Sequence, residues 1–203
     1  MKLSVVIPHY NQPNALETCV GSLLAQSRSP DEIVVVDDGS TVDLPHCGFA
    51  RFLRQPRHPC HYAQWATNVN RGVQGSSGDG IVLISCHWLL AREYLSGVEK
   101  LLEGCRSEKI VWCSEPPNAR YDSEGGLLNV DNDTHYVLRR SAWVPWDERF
   151  DAIGGVHQVP AWGIMCRKVG VKFCVHPVLT GINRQLGGIC GTEEENRVAY
   201  ALG

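Results

Sequence analysis

The chain has 203 residues, 43% of them hydrophobic and 20% charged, with a net charge of −3 at pH 7. That length fits about one globular domain and is enough to bury a core without disulfides or a structural metal. No apolar run reaches the ~18 residues of a membrane-crossing helix. The first apolar stretch is too short for a signal peptide, and without a basic block a nucleic-acid partner held through its phosphates is disfavoured.

Residues 3–7 are an apolar run, interrupted only by Ser4 and ending at Pro8, the pattern of a buried strand. Asn14-x-x-Glu17 has the form of a capping box, and Leu16, Cys19, Val20, Leu23 and Leu24 recur at helical spacing, which predicts a helix over 14–26. A second apolar run at 33–36 stops at Asp37-Asp38-Gly39-Ser40, so the first 40 residues read as a parallel, right-handed βαβ unit. A strand at 49–53 follows, then a helix on which Tyr62, Trp65, Ala66, Val69 and Val73 share a face. Next come a buried strand at 81–84, a helix near 91–103 and a strand at 110–113. Residues 114–135, with Pro116-Pro117 and Gly125-Gly126, read as a long loop or flap. A strand at 135–138, a helix around Trp162, Met165, Cys166 and Val169, and a strand at 171–175 complete the sheet. Thr192-x-x-Glu195 caps a short last helix.

The nine cysteines (19, 47, 60, 86, 105, 113, 166, 174 and 190) form no Cys-x-x-Cys pair, and most sit in apolar runs. They read as reduced core residues of a soluble cytoplasmic protein.

In an open α/β sheet, ligands bind beyond the carboxyl ends of the strands. Three such ends here are polar: His9-Tyr10-Asn11, Asp37-Asp38-Gly39-Ser40-Thr41 and Ser85-Cys86-His87. An aromatic ring and an amide can stack on and hydrogen-bond a flat base, and a carboxylate can accept from an imide N–H. Taken singly, Asp37 and Asp38 would only cap a turn and Tyr10 would only pack. Their joint placement on neighbouring strand ends favours a nucleotide site. Gly-x-Gly-x-x-Gly and Walker loops are absent, so dinucleotide and P-loop readings fail.

Residues 4–11, 24–26 and 31–41 resemble the inverting family-2 glycosyltransferases with the GT-A fold. The resemblance continues more weakly through 51–56, 70–72 and 78–84, and residues 146–150 and 170–173 are similar to that family's acceptor half. It implies an α/β GT-A fold, a mostly parallel sheet flanked by helices. It further implies a single domain over 1–203, with a nucleotide-binding half in 1–88 and an acceptor half in 89–203. By the same resemblance Pro8, Tyr10 and Asn11 line the base pocket, Asp38 contacts the base, and Asn70 and Gly72 lie near the diphosphate or sugar.

Two departures bear on the chemistry. The family ends its fourth strand in Asp-x-Asp, whose carboxylate holds a divalent metal against the diphosphate. Here Ser85, Cys86 and His87 stand in that place, and no Asp or Glu lies between Asp79 and Glu93. By analogy with the Asp-x-His variant of the polypeptide N-acetylgalactosaminyltransferases, His87 and His176 are the candidate ligands for Mn²⁺ or Mg²⁺, with Cys86 a soft neighbour. The second departure is the base that takes the acceptor proton, ordinarily the Asp of a Glu-Asp pair. No carboxylate lies between Asp151 and Glu193, which leaves His157 as the first candidate and Asp151 as the second.

The leading expectation is therefore an inverting glycosyltransferase moving a sugar from a nucleotide-sugar donor to an unknown acceptor hydroxyl. Its leaving-group charge is offset by His87 with a metal, or by Arg71 without one. The alternative is a catalytically inactive binding or structural module that keeps the nucleotide half. Such a module would meet an assembly partner through exposed residues at Trp143, Trp146, Cys60 and Cys190. A nucleotidyltransferase is disfavoured, because Pro8-His9-Tyr10-Asn11 is not a Gly-rich loop.

Overall fold

The structure is a computed structural model that describes residues 1–56, 64–113, 120, 123, 135–153, 158–176 and 184–185. Its core is a seven-stranded sheet of order β3-β2-β1-β4-β7-β6-β8. The strands are β1 (Leu3–His9), β2 (Glu32–Asp37), β3 (Ala50–Arg54), β4 (Gly80–Leu83), β6 (Ile110–Cys113), β7 (Tyr136–Arg139) and β8 (Lys172–Val175). β1, β2, β3 and β4 run parallel, as the apolar runs predict. The less regular second half has a specific cause: β7 enters antiparallel between β4 and β6, and β8 then runs parallel to β6. A separate two-stranded pair joins β5 (Trp88–Leu89) to β9 (Arg184–Gln185).

Strand side chains alternate between the two faces of the sheet, which sorts the core into two clusters. Val6, Val34, Val36, Ile81, Leu83, Val111 and Leu138 pack with helices α2 (Trp65–Gly75) and α4 (Gln158–Lys168). Val5, Ile7, Ile33, Val35, Val82 and Val137 pack on the other face, with α1 (Pro13–Leu24) and α3 (Tyr94–Gly104). Each central strand is buried on both faces, so its sequence is a continuous apolar run rather than an alternating one.

Three local expectations are corrected. The capping box at Asn14 does not form: Pro13 occupies the start of α1, where its missing N–H costs nothing, so Asn14 already lies inside the helix and no side chain caps it. Leu24 leaves the apolar stripe and is exposed. Trp146 is not a surface residue either. It is 3% exposed and stacks on Trp162 with ring centroids 4.7 Å apart, while Trp143 lies half-buried beside the same ring. The aromatic pair fills the space between β7 and α4, so its energy goes into the core rather than into a partner surface. Cys19, Cys47, Cys86, Cys113 and Cys166 are buried. Cys60, Cys190, the helix at Thr192 and most of the 114–135 loop lie outside the described residues. No helix among the described residues is long and apolar enough to cross a membrane.

Candidate functional site

The parallel strands bring their C-terminal ends to one edge of the sheet. β1 delivers His9, Tyr10 and Asn11 there, β2 delivers Asp37 and Asp38, and β4 delivers Ser85, Cys86 and His87. Pro8 sits within β1 opposite Val36. Val6 O still accepts from Ile84 N–H, whereas His9 O turns to Asp38 N–H. Pro8 therefore faces the β4 side just beyond the last paired residue, where a missing N–H interrupts no ladder bond.

A buried knot ties the first two ends together. His9 Nδ1 lies 3.3 Å from Asp37 Oδ1, and Ser40 Oγ donates to the same oxygen at 2.5 Å. Gln12 N–H donates to His9 Nε2 at 3.2 Å, so Nε2 is the acceptor and the ring proton sits on Nδ1, facing Asp37. Burial acts to raise the Asp37 carboxyl, but the bonds from His9 and Ser40 outweigh it and hold the group below the usual carboxylate range. Arg54 adds an ion pair to Asp37 at 3.3 Å. Asn11 stands at φ 50°, a left-handed conformation that Asn tolerates. From there its N–H donates to Ser40 Oγ at 2.9 Å, and its side-chain oxygen accepts from Thr41 N–H at 2.8 Å. The loop after β1 is thus laced to the loop after β2.

Asp38 meets different neighbours. Its Oδ2 accepts from Gln64 N–H at 3.1 Å, the Gln55 amide lies 3.5 Å from Oδ1, and Asn68 also hydrogen-bonds it. Burial dominates here and pushes the carboxyl up to about 6, with the negative charges of Asp151 and Asp37 acting in the same direction. Gln55 donates to Asn68 and accepts from the exposed guanidinium of Arg71 at 3.1 Å, which connects Arg71 to the Asp38 cluster.

Asp151 does not stand free as a proton acceptor. Its carboxylate takes the backbone N–H groups of Ala66 at 3.0 Å and Thr67 at 2.9 Å, plus the Thr67 hydroxyl at 2.7 Å. These are unpaired donors of the first turn of α2, so Asp151 caps that helix from the far side of the chain. Asn70 clasps the backbone of Trp146, donating to its carbonyl at 2.9 Å and accepting from its N–H at 2.8 Å. At Gly72 a Cβ would lie 2.2 Å from Val6 Cγ1, so the bare backbone lets α2 sit down on β1 and β2. The visible work of Asn70 and Gly72 is to seat α2 and the segment that follows β7. His157 lies outside the described residues.

At the end of β4, His87 Nε2 and Cys86 Sγ both turn to Gln12 Oε1, the thiol from 3.6 Å. His176 follows β8, three strands further along the sheet, roughly 14 Å at the usual strand spacing. It packs edge-on against Trp112. Among the described residues no three His, Cys, Asp or Glu side chains converge as a metal site. A thiol, an imidazole and one amide oxygen do not fit Mg²⁺, which demands hard oxygen ligands in octahedral array.

Residues 4–107 match the family model for glycosyl transferase family 2, just over half of the chain. The chain belongs to glycosyl transferase family 2. Its sheet is that of the GT-A fold. The mannosyltransferase PcManGT of Pyrobaculum calidifontis, solved with GDP-Man and Mn²⁺, superposes with a TM-score of 0.63 at 17% identity over 87% of this chain and 55% of that one. S. aureus TarS in complex with UDP-GlcNAc gives a TM-score of 0.64 at 14% identity over 97% and 61% of the two chains. Among curated sequences, the chondroitin synthase of Escherichia coli is 26% identical over 132 residues, 63% of this chain and 18% of that protein. The chain spans 13% to 25% of the length of the curated relatives it matches.

Within this family-2 chain, sequence reasoning missed the residues that hold the strand ends in place. Gln12, Gln55 and Asn68 act through neutral side-chain amides and Gln64 through its backbone N–H, residue types that mark no chemistry by themselves, and their partners lie 13 to 75 residues away in sequence. One signal was available: Gln55 falls two residues beyond the third predicted strand, at the same edge as Asp38.

Proposed function

We propose that Tyr10, Asn11 and Asp38 bind the base of a nucleotide-sugar donor, and that the chain transfers the sugar to an acceptor hydroxyl with inversion. The observation that carries this reading is the placement of Asp38. A buried carboxylate at the end of β2, beside a loop laced to β1, is positioned to accept an imide N–H. Pro8 gives that loop its exit from the sheet, and Asn70 and Gly72 frame the site from α2. On this reading residues 1–88 are the nucleotide half and 89–203 the acceptor half. The buried thiols support a reducing compartment, the cytoplasm.

In the displacement, the acceptor oxygen attacks the anomeric carbon while the bond to the nucleoside diphosphate breaks and the hydroxyl proton leaves to a base. His157 takes that proton; Asp151, with three donors already on its carboxylate, is the second choice. The charge gathering on the departing diphosphate is offset by the exposed guanidinium of Arg71. A second reading, a module that binds nucleotide without turnover, is favoured by the bonds that occupy Asp151 and by the turn of Cys86 and His87 toward Gln12.

Donor hydrolysis and transfer with UDP-, GDP- and dTDP-sugars, each with and without Mn²⁺, test both readings. Turnover that falls at least tenfold in His157→Ala supports the enzyme. Unchanged turnover removes His157 from the mechanism. Binding without turnover selects the module. A rate that rises with Mn²⁺ and loses that response in His87→Ala or His176→Ala makes those imidazoles ligands.

A further inference from the structure

Two buried carboxylates from distant parts of the chain meet at the N-terminal end of α2. Asp38, from the end of β2, takes Gln64 N–H, and Asp151, in the 3-10 turn Glu148–Ile153, takes Ala66 N–H, Thr67 N–H and the Thr67 hydroxyl. They are 4% and 5% exposed. The first turn of a helix offers N–H groups with no partner inside the helix and a partial positive charge, so it suits a carboxylate. Here the donors are divided between two of them. Fixing Ala66 and Thr67 on Asp151 therefore also fixes Gln64, two residues back, and Asn68, one residue on, both of which bond Asp38. Gln55 closes the circuit by donating to Asn68 and approaching Asp38.

We propose that Asp151 is a positioning residue for Asp38: by capping α2 it sets Gln64 and Asn68 against the carboxylate that reads the base, and so couples the acceptor-side segment to the nucleotide site. The inference rests on the nucleotide reading given above. In this role Asp151 acts through the helix end, by its bonds to Ala66 and Thr67, rather than by contact with the nucleotide.

A double-mutant cycle on nucleotide affinity separates this role from a general contribution to stability. UDP and GDP are the probes, titrated calorimetrically into the wild type, Asp38→Asn, Asp151→Asn and the double variant. Loss of charge-assisted bonds at Asp38 weakens binding about tenfold in each single variant, and the double variant binds no worse than the weaker single one. Removing a negative charge by itself favours an anionic ligand, so weakening in Asp151→Asn has the opposite sign to a purely electrostatic effect. Single losses that multiply in the double variant overturn the proposal, as does unchanged affinity in Asp151→Asn. If Asp151→Asn does not fold, Thr67→Val deletes one of the three bonds and is expected to weaken binding about two- to threefold. Unchanged affinity in Thr67→Val then overturns it. A wild type that binds neither these probes nor dTDP defeats the nucleotide reading itself; binding that ignores Asp151 and Thr67 defeats the positioning role alone.

Discussion

Asp37 and Asp38 adjoin in sequence, but burial meets different partners at each. Asp37 faces a ring N–H, a hydroxyl and a guanidinium, which hold it ionised. Asp38 faces neutral amides and another carboxylate, and it titrates near 6. The consequence for stability has a definite sign. A carboxyl raised in the folded state binds its proton more tightly there than in the unfolded chain, so stability falls as pH rises from about 4 to about 6 and the full cost stands above that. Asp38→Asn removes this slope, which a series of thermal melts between pH 4 and 7 reads directly. An imide N–H bonds the ionised form more strongly than the neutral acid, so uridine-nucleotide affinity in the wild type rises through pH 6 and the rise disappears in Asp38→Asn. The phosphate's own titration is common to both proteins and cancels in that comparison. Ser40 makes the complementary test. Ser40→Ala deprives Asp37 of a donor and leaves Asn11 N–H unpaired, a loss of about 1–3 kcal/mol in denaturant unfolding.

At the level of elements, α2 carries the greatest load, seating on β1 and β2 while its first turn anchors both Asp38 and Asp151. Gly72→Ala puts a methyl 2.2 Å from Val6 Cγ1 and 3.1 Å from Val36 Cγ2, which forces the helix outward and costs about 1–3 kcal/mol. Val6→Ala in that background makes room and restores part of the lost melting temperature. An unchanged melting temperature in Gly72→Ala would contradict this close seating of α2 on β1 and β2. β1, β2 and β4 were legible because a strand buried on both faces writes itself as an apolar run, interrupted in β1 only by Ser4; β6 is apolar throughout although only alternate residues are fully buried. The start of α1 was off by a residue because Pro13 supersedes the Asn14 box. The direction of β7 was not legible at all, since Tyr136–Arg139 reads the same whichever way it pairs.

Over the whole molecule, early and late parts of the chain are joined by contacts that neither stretch of sequence shows by itself. Asn70 clasps Trp146, Asp151 caps α2, and Trp146 stacks on Trp162 between β7 and α4. Trp162→Ala empties the centre of that cluster and is expected to cost about 3–5 kcal/mol in chemical unfolding. The strand-end residues Tyr10, Asn11, Asp38 and His87 were visible because a parallel sheet delivers its C-terminal ends to one edge. The amides that fix them were not, because each is paired across a long stretch of sequence. A nucleotide site at this edge, read by Asp38, is tested by calorimetric titration of UDP, GDP and dTDP into the wild-type chain and into Asp38→Asn. Saturable binding of at least one of them is expected at one per chain, weakened about tenfold in Asp38→Asn. Binding that is absent for all three, or indifferent to Asp38, would contradict it.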